Sequence, residues 1–100
     1  MASREELELI GRELADCRIK ADLTQATVGT ALGVARRTVA QWERGARSMT
    51  MADLCRMADL YDVRPSEIIR RALDAWIPPT LRLVDVSGGP NYESQARRSR

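Results

Sequence analysis

The chain has no histidine and a single lysine among its 100 residues. With no nucleophile assembled beside a base either, an enzyme finds no footing. Two cysteines, Cys17 and Cys55, form no CxxC pair. That is too few ligands for a metal site, and no cofactor is expected. Both thiols read as small buried hydrophobes, the alternative being a redox pair if folding brings them together. Aromatic residues are 4% of the chain and hydrophobic residues 44%, so the core must come from Leu, Ile, Val, Ala and Met. No apolar run approaches the ~20 residues of a membrane span, and the acidic N-terminus does not read as a signal peptide. One small helical domain in the reducing cytoplasm is the expectation.

Net charge is only +2, which by itself points to no partner. Its distribution is more informative. Residues 1–34 carry four basic and six acidic side chains, whereas 35–47 carry four and one. Residues 48–77 carry four and five, and 78–100 four and two. Positive charge is gathered in one short internal stretch and in the tail, a pattern suited to nucleic acid.

That internal stretch belongs to a longer unit, Leu23 to Arg47, which reads as two short helices around a glycine turn. Thr24 is placed to cap the first helix, with Leu23 closing onto Val28 as a hydrophobic staple. Val28 and Leu32 share a face, Gly33 supplies the left-handed stop, and Val34 follows as a buried turn residue. The second helix starts near Ala35. At about 100° per residue, Ala35, Thr38, Val39 and Trp42 fall on one side, which reads as core. Arg36, Arg37, Ala40, Gln41 and Arg44 fall within roughly 140° of one another on the other side. Arg36 and Arg37 occupy the first helical turn, where the macrodipole disfavours cations by ~0.3–1 kcal/mol each. Ala35 offers no capping acceptor. A helix selected only for stability would carry Asp, Ser or Glu there. DNA phosphates or guanine edges would offset the cost, because arginine pairs bidentately with guanine O6 and N7.

The chain resembles the lambda-repressor-like, Cro/XRE-type helix-turn-helix family. The residues that carry the likeness are Ile10-Gly11, Leu14, Arg18, Leu23-Thr24-Gln25, Val28, Leu32-Gly33-Val34, Val39, Trp42-Glu43-Arg44-Gly45 and Arg47. They continue with Leu54, Ala58, Val63 and Ile68, so the likeness runs from about residue 7 to residue 73. Gly29, Ala35 and Met49 depart from the family's usual alanine, capping serine or threonine, and proline. The resemblance implies an all-α fold of five helices and binding to double-stranded DNA. It also implies a structural ion pair between Arg18 and Glu43, against the alternative of an independent solvated arginine. It implies that Gln25 reaches a phosphate, where a plain surface glutamine would do nothing.

The remaining elements follow in order. Ser3 can cap a first helix through Leu7, Ile10, Leu14 and Cys17 to about Lys20. After a loop from Ala46, Thr50 with Asp53 resembles a capping box. It opens a helix whose apolar face takes in Met51, Leu54, Cys55, Met57, Ala58 and Tyr61. Pro65 is placed as the first residue of a fifth helix, through Ile68, Ile69, Ala72, Leu73 and Trp76, which ends before Pro78-Pro79.

Residues 1–77 are thus the helix-turn-helix domain. Thr80 to Val86 reads as one short β-strand, so residues 78–86 are a candidate dimerisation segment. The strand would pair with its own copy across a dimer axis; the alternative is a segment extended along its own domain or disordered, and Trp76 and Ile77 are further candidate dimer contacts. Residues 87–100 read as a flexible basic tail.

The leading function is a sequence-specific transcriptional regulator, a bacterial or phage repressor that binds its operator as a homodimer. The third helix would lie in the major groove and the second would cross the backbone. Base-edge candidates are Arg36, Arg37, Gln41 and Arg44, the last with a phosphate as its alternative, with Ala40 against a thymine methyl and Thr38 also among the DNA-binding candidates. Thr24, Gln25 and Arg47 are the phosphate candidates. The alternative is an antitoxin-type autoregulator whose C-terminal segment holds a protein partner.

Overall fold

Acidic residues Glu5 and Glu6 in the first turn and Arg18 and Lys20 in the last complement the dipole of the longest helix, α1, Arg4–Lys20. It is followed by α2 (Gln25–Leu32), α3 (Arg36–Glu43), α4 (Met51–Leu60), α5 (Pro65–Leu73) and a single helical turn, α6 (Pro79–Arg82). The computed structural model describes residues 4–74 and 76–82. The expectation for Ser3 and the flexible tail over 87–100 lie outside them. Within them the architecture is all-α, and no helix is long and apolar enough to cross a membrane.

Several helix ends are built alike. At the end of α2, Gly33 (φ 73°) is followed by Val34, whose N–H donates to the Gly29 carbonyl at 2.9 Å. At the end of α3, Gly45 (φ 71°) lets the Ala46 N–H reach the Gln41 carbonyl, also at 2.9 Å. Each is a Schellman closure that satisfies otherwise orphaned carbonyls. α1 and α4 close the same way with an aspartate in the left-handed position, Asp22 (φ 60°) and Asp62 (φ 57°). At the other end of α4, Thr50 accepts from the Asp53 N–H at 3.0 Å and Asp53 accepts from the Thr50 N–H at 3.1 Å. The capping box forms with the shorter acid.

Leu14, Val28, Val39, Met57 and Ile68 are fully buried, one from each helix α1 to α5, so all five meet in one core. Each such side chain contributes about 1.5–3 kcal/mol from burial. Cys17, Leu32, Trp42, Leu54, Ala58 and Tyr61 complete the cluster, and Leu23 and Val34 pack against it from the ends of α2. α1 lies on α3 and α5, α2 on α3 and α4, and α4 on α5. The outcome is a recognition-sized helix, α3, held by α1 behind and α2 beside.

Four expectations need correction. Met51 is 69% exposed and Cys55 is exposed as well. The inward stripe of α4 is the narrower Leu54, Met57, Ala58, Tyr61 set, and Met51 and Cys55 sit one turn apart outside it. Cys17 is buried, where desolvation and then the nearby Glu13 raise its thiol pKa. α5 ends at Leu73 and does not continue through Trp76; a residue preceding proline, here Ile77, avoids the helical region, so the chain leaves the helix early. Ala35 is exposed, not core, because it is the extended N-cap (φ −69°, ψ 149°), to which helical spacing does not apply. The strand expected from Thr80 is also absent where it is described. Pro79 instead starts the α6 turn, and the Leu81 N–H closes on the Pro78 carbonyl at 2.9 Å. Residues 83–86 lie outside the described residues.

Candidate nucleic-acid interface

α2 and α3 are joined by three residues, Gly33 to Ala35, and the glycine turn sets one helix across the other. Two glycines let α1 approach the far end of α3. A Cβ on Gly11 would stand 2.4 Å from the Trp42 carbonyl oxygen, and one on Gly45 would stand 2.6 Å from the Glu8 nitrogen. Backbone therefore rests on backbone at both points.

The carboxylate of Glu43, at the last residue of α3, is the hub of the site. Arg18 on α1 donates to it twice, from Nε at 2.7 Å and Nη2 at 3.1 Å, and the two side chains are only 15% and 6% exposed. Arg18 Nη1 also donates to the Leu23 carbonyl at 2.9 Å, tying the turn before α2 to the same point. This bidentate bond is the first cause of the raised Arg18 pKa. Tyr61 lies close enough that the Glu43 charge adds to burial in raising its phenol pKa.

Gln25 extends the hub to the surface. Its Nε2 donates to Glu43 at 2.8 Å, and its Oε1 accepts from Arg36 Nη1 at 3.0 Å. The amide can point only one way, since Glu43 solely accepts and the arginine solely donates. The family resemblance implies a phosphate contact for Gln25; in the structure it is half-buried and uses both amide atoms inside the protein. Its second Nε2 hydrogen and its backbone N–H at the start of α2 are what it can still offer. Thr24 accepts from the Thr27 N–H at 3.0 Å and is exposed.

Along α3, Arg36, Arg37 and Arg44 are exposed, and Gln41 is half-buried beside them. Arg37, Gln41 and Arg44 make no side-chain hydrogen bond or ion pair among the described residues, and neither does Arg47 in the loop that follows. Thr38 is half-buried at the edge of the face. Ala40 lies among the arginines but is only 9% exposed, because long side chains three and four positions away surround it. It therefore presents less of a methyl to a thymine than spacing alone suggested. Ala35 gives no side-chain cap, so the first N–H groups of α3 are left open.

One positioning residue had no sequence signal. Arg56, on α4, donates from Nη2 to the Leu32 carbonyl at 2.6 Å and anchors the end of α2 just before the turn. An arginine on a helix surface has many uses, and nothing local distinguishes this one.

A short helix, a glycine turn and a second helix with a free arginine face define a helix-turn-helix DNA-binding domain. The chain belongs to the helix-turn-helix domain family, matched over residues 9–70, and its type is the lambda-repressor-like, Cro/XRE one. This is a family of DNA-binding regulators and not of enzymes. Among its relatives, the cryptic phage CTXphi transcriptional repressor RstR of Vibrio cholerae is 24% identical over 89 residues, 86% of this chain and 80% of that protein. The crystal structure of the restriction-modification controller protein C.AhdI from Aeromonas hydrophila is similar at 28% identity and a TM-score of 0.61. That likeness covers 65% of this chain and 94% of that one.

Proposed function

We infer that the protein is a transcriptional repressor that binds operator DNA as a homodimer in the cytoplasm, with α3 in the major groove and α2 across the backbone. The observation that carries this reading is the α3 face itself. Arg37, Gln41 and Arg44 have no side-chain partner among the described residues, on a helix whose start carries no side-chain cap, and Arg36 is held beside them by Gln25. Cations in an uncapped first turn cost stability unless an anion completes them. The relatives, one a phage transcriptional repressor and the other a restriction-modification controller protein, favour regulation of transcription over a structural role on DNA.

In this arrangement Arg36, Arg37 and Gln41 read base edges, guanine for the arginines and adenine for the glutamine. Ala40 and Thr38 set how closely α3 can sit. Thr24, the backbone N–H of Gln25 and Arg47 fix register through phosphates. A dimer would place two copies of α3 about 34–36 Å apart, one turn of the duplex.

The test is selection of binding sites from random duplexes, followed by titration of the wild-type chain and Arg37→Ala on the selected site and its single-base variants. Arg37→Ala is expected to lose about 1–3 kcal/mol and to relax base choice at one position of each half-site. Unchanged relative affinities across the variants would remove Arg37 from base readout. Failure of the wild-type chain to select any sequence would overturn the repressor reading.

A further inference from the structure

We propose that Arg12 of α1 and Arg44 at the C-terminal end of α3 together hold one backbone phosphate of the DNA, in the groove between the two helices; this rests on the operator-binding reading above. Both arginines line that groove, with the small residues Ala15 and Ala46 beside them. The close approach at Gly11 and Gly45 brings α1 so near α3 that the residue after Gly11 and the residue before Gly45 face one space.

The acids of the groove are already engaged. Glu8 accepts from Arg4 at 2.9 Å, and Glu43 is taken by Arg18 and Gln25. Arg12 and Arg44 make no side-chain hydrogen bond or ion pair among the described residues. On its other flank Arg12 borders a second groove with Glu13 and Asp16, yet Arg71 lies 3.7 Å from Glu13 and neither acid pairs with Arg12. Two arginines that line one opening, neither with a side-chain partner among the described residues, offer a site to an oxyanion with several acceptor oxygens. Arg44 also belongs to the exposed face of α3, so an anion here lies at the margin of the surface assigned to DNA and not at a separate place. The chemistry is that of a phosphate, and the commitment is to a phosphodiester of the bound duplex. The effect is to carry the footprint past α3 onto α1.

The experiment uses the full chain and the selected operator duplex. Ethylation interference is mapped for wild type, Arg12→Ala and Arg44→Ala, with affinity measured across a salt series. A wild-type phosphate whose ethylation blocks binding, and whose interference disappears in both variants, is expected. The salt slope of each variant should fall by about one, with base preference unchanged in Arg12→Ala. Because Arg12 has no side-chain partner among the described residues, the urea midpoint of Arg12→Ala should match wild type; Arg12→Gln is the second variant if it does not. A wild-type interference map and slope retained in Arg12→Ala overturn the proposal while leaving the operator reading intact. Inorganic phosphate that raises the melting temperature of the DNA-free wild type but not of Arg12→Ala, with interference unchanged, would assign the groove to a free anion and equally overturn it. No selective binding by wild type brings down the operator reading and the phosphate site together.

Discussion

Glu43 accepts three hydrogen bonds while only 6% exposed, so the fold depends on its partners being present. Removing one member of such a pair strands the other charge in a poorly solvated place, at a cost of about 3–5 kcal/mol. Glu43→Ala is therefore expected to lose stability of that order in urea titration, and Glu43→Gln less, since an amide oxygen can still accept from Arg18. Gln25 has a different role. Its amide joins the hub to Arg36, so Gln25→Ala should lower the midpoint, though less than Glu43→Ala because Arg18 still pairs the carboxylate, while reproducing part of the altered base preference of Arg36→Ala. Site selection with both variants checks this; a Gln25→Ala protein that merely weakens on all sequences alike would make it a phosphate contact alone. The family resemblance alone implied the pairing of Arg18 with Glu43, which the structure contains. It did not reveal that Gln25 is engaged at both ends, because its partners lie 11 and 18 residues away and meet it only once α2 and α3 cross.

The helix ends divide sharply by what a substitution would meet. Gly33 has a left-handed φ of 73° but nothing within 4 Å of a Cβ, so Gly33→Ala should cost only the conformational term, about 1–2 kcal/mol. Gly11 lies within a helix, yet its Cβ would meet backbone oxygen at 2.4 Å, and backbone cannot rotate away. Gly11→Ala should be the costlier of the two in the same titration, and it should also weaken DNA binding by moving α1 off the end of α3. Equal losses would show that the crossing of α1 and α3 adapts. Of the left-handed ends, the one at Gly33 was legible because glycine after an apolar helical stripe has few other uses. Those at Asp22 and Asp62 were not, since aspartate serves equally as a cap or a turn residue. The outward turns at Met51 and Cys55, and the helical turn where a strand was expected at Thr80, were misread for a related reason. Apolar side chains over a few residues do not say which way a short segment faces or coils.

Across the whole molecule, α5 is fastened to α1 by charge as well as by packing. Glu67 receives Arg70 and Arg71, and Arg71 also lies 3.7 Å from Glu13 on α1. The hydrogen bond from Arg70, followed by the charges of both arginines, lowers the Glu67 pKa to about 2. A carboxyl depressed in the folded state contributes stability that is full above its ordinary value near 4.5 and is lost as pH falls toward 2. Stability measured at pH 5 and at pH 2.5 should therefore differ less in Glu67→Gln than in wild type. An identical acid limb in both proteins would place the acid sensitivity elsewhere. The same molecule separates its duties by face. α1 and α5 close the back with paired charges, and the arginines of α3 stand at the front with no acidic partner among the described residues.

The one-way amide at Gln25 also limits how such a regulator can diversify. A residue at position 36 that donates can keep its bond to the Gln25 oxygen. A glutamate there, which would read cytosine, faces that oxygen, and turning the amide sets the same oxygen against Glu43. Lineages that change operator by drift at this single position should thus stay among purine-reading side chains, and reaching cytosine requires a coordinated change at position 25. Variants selected from a library randomised at position 36 alone, challenged with operators substituted to cytosine, would expose that constraint as an empty outcome.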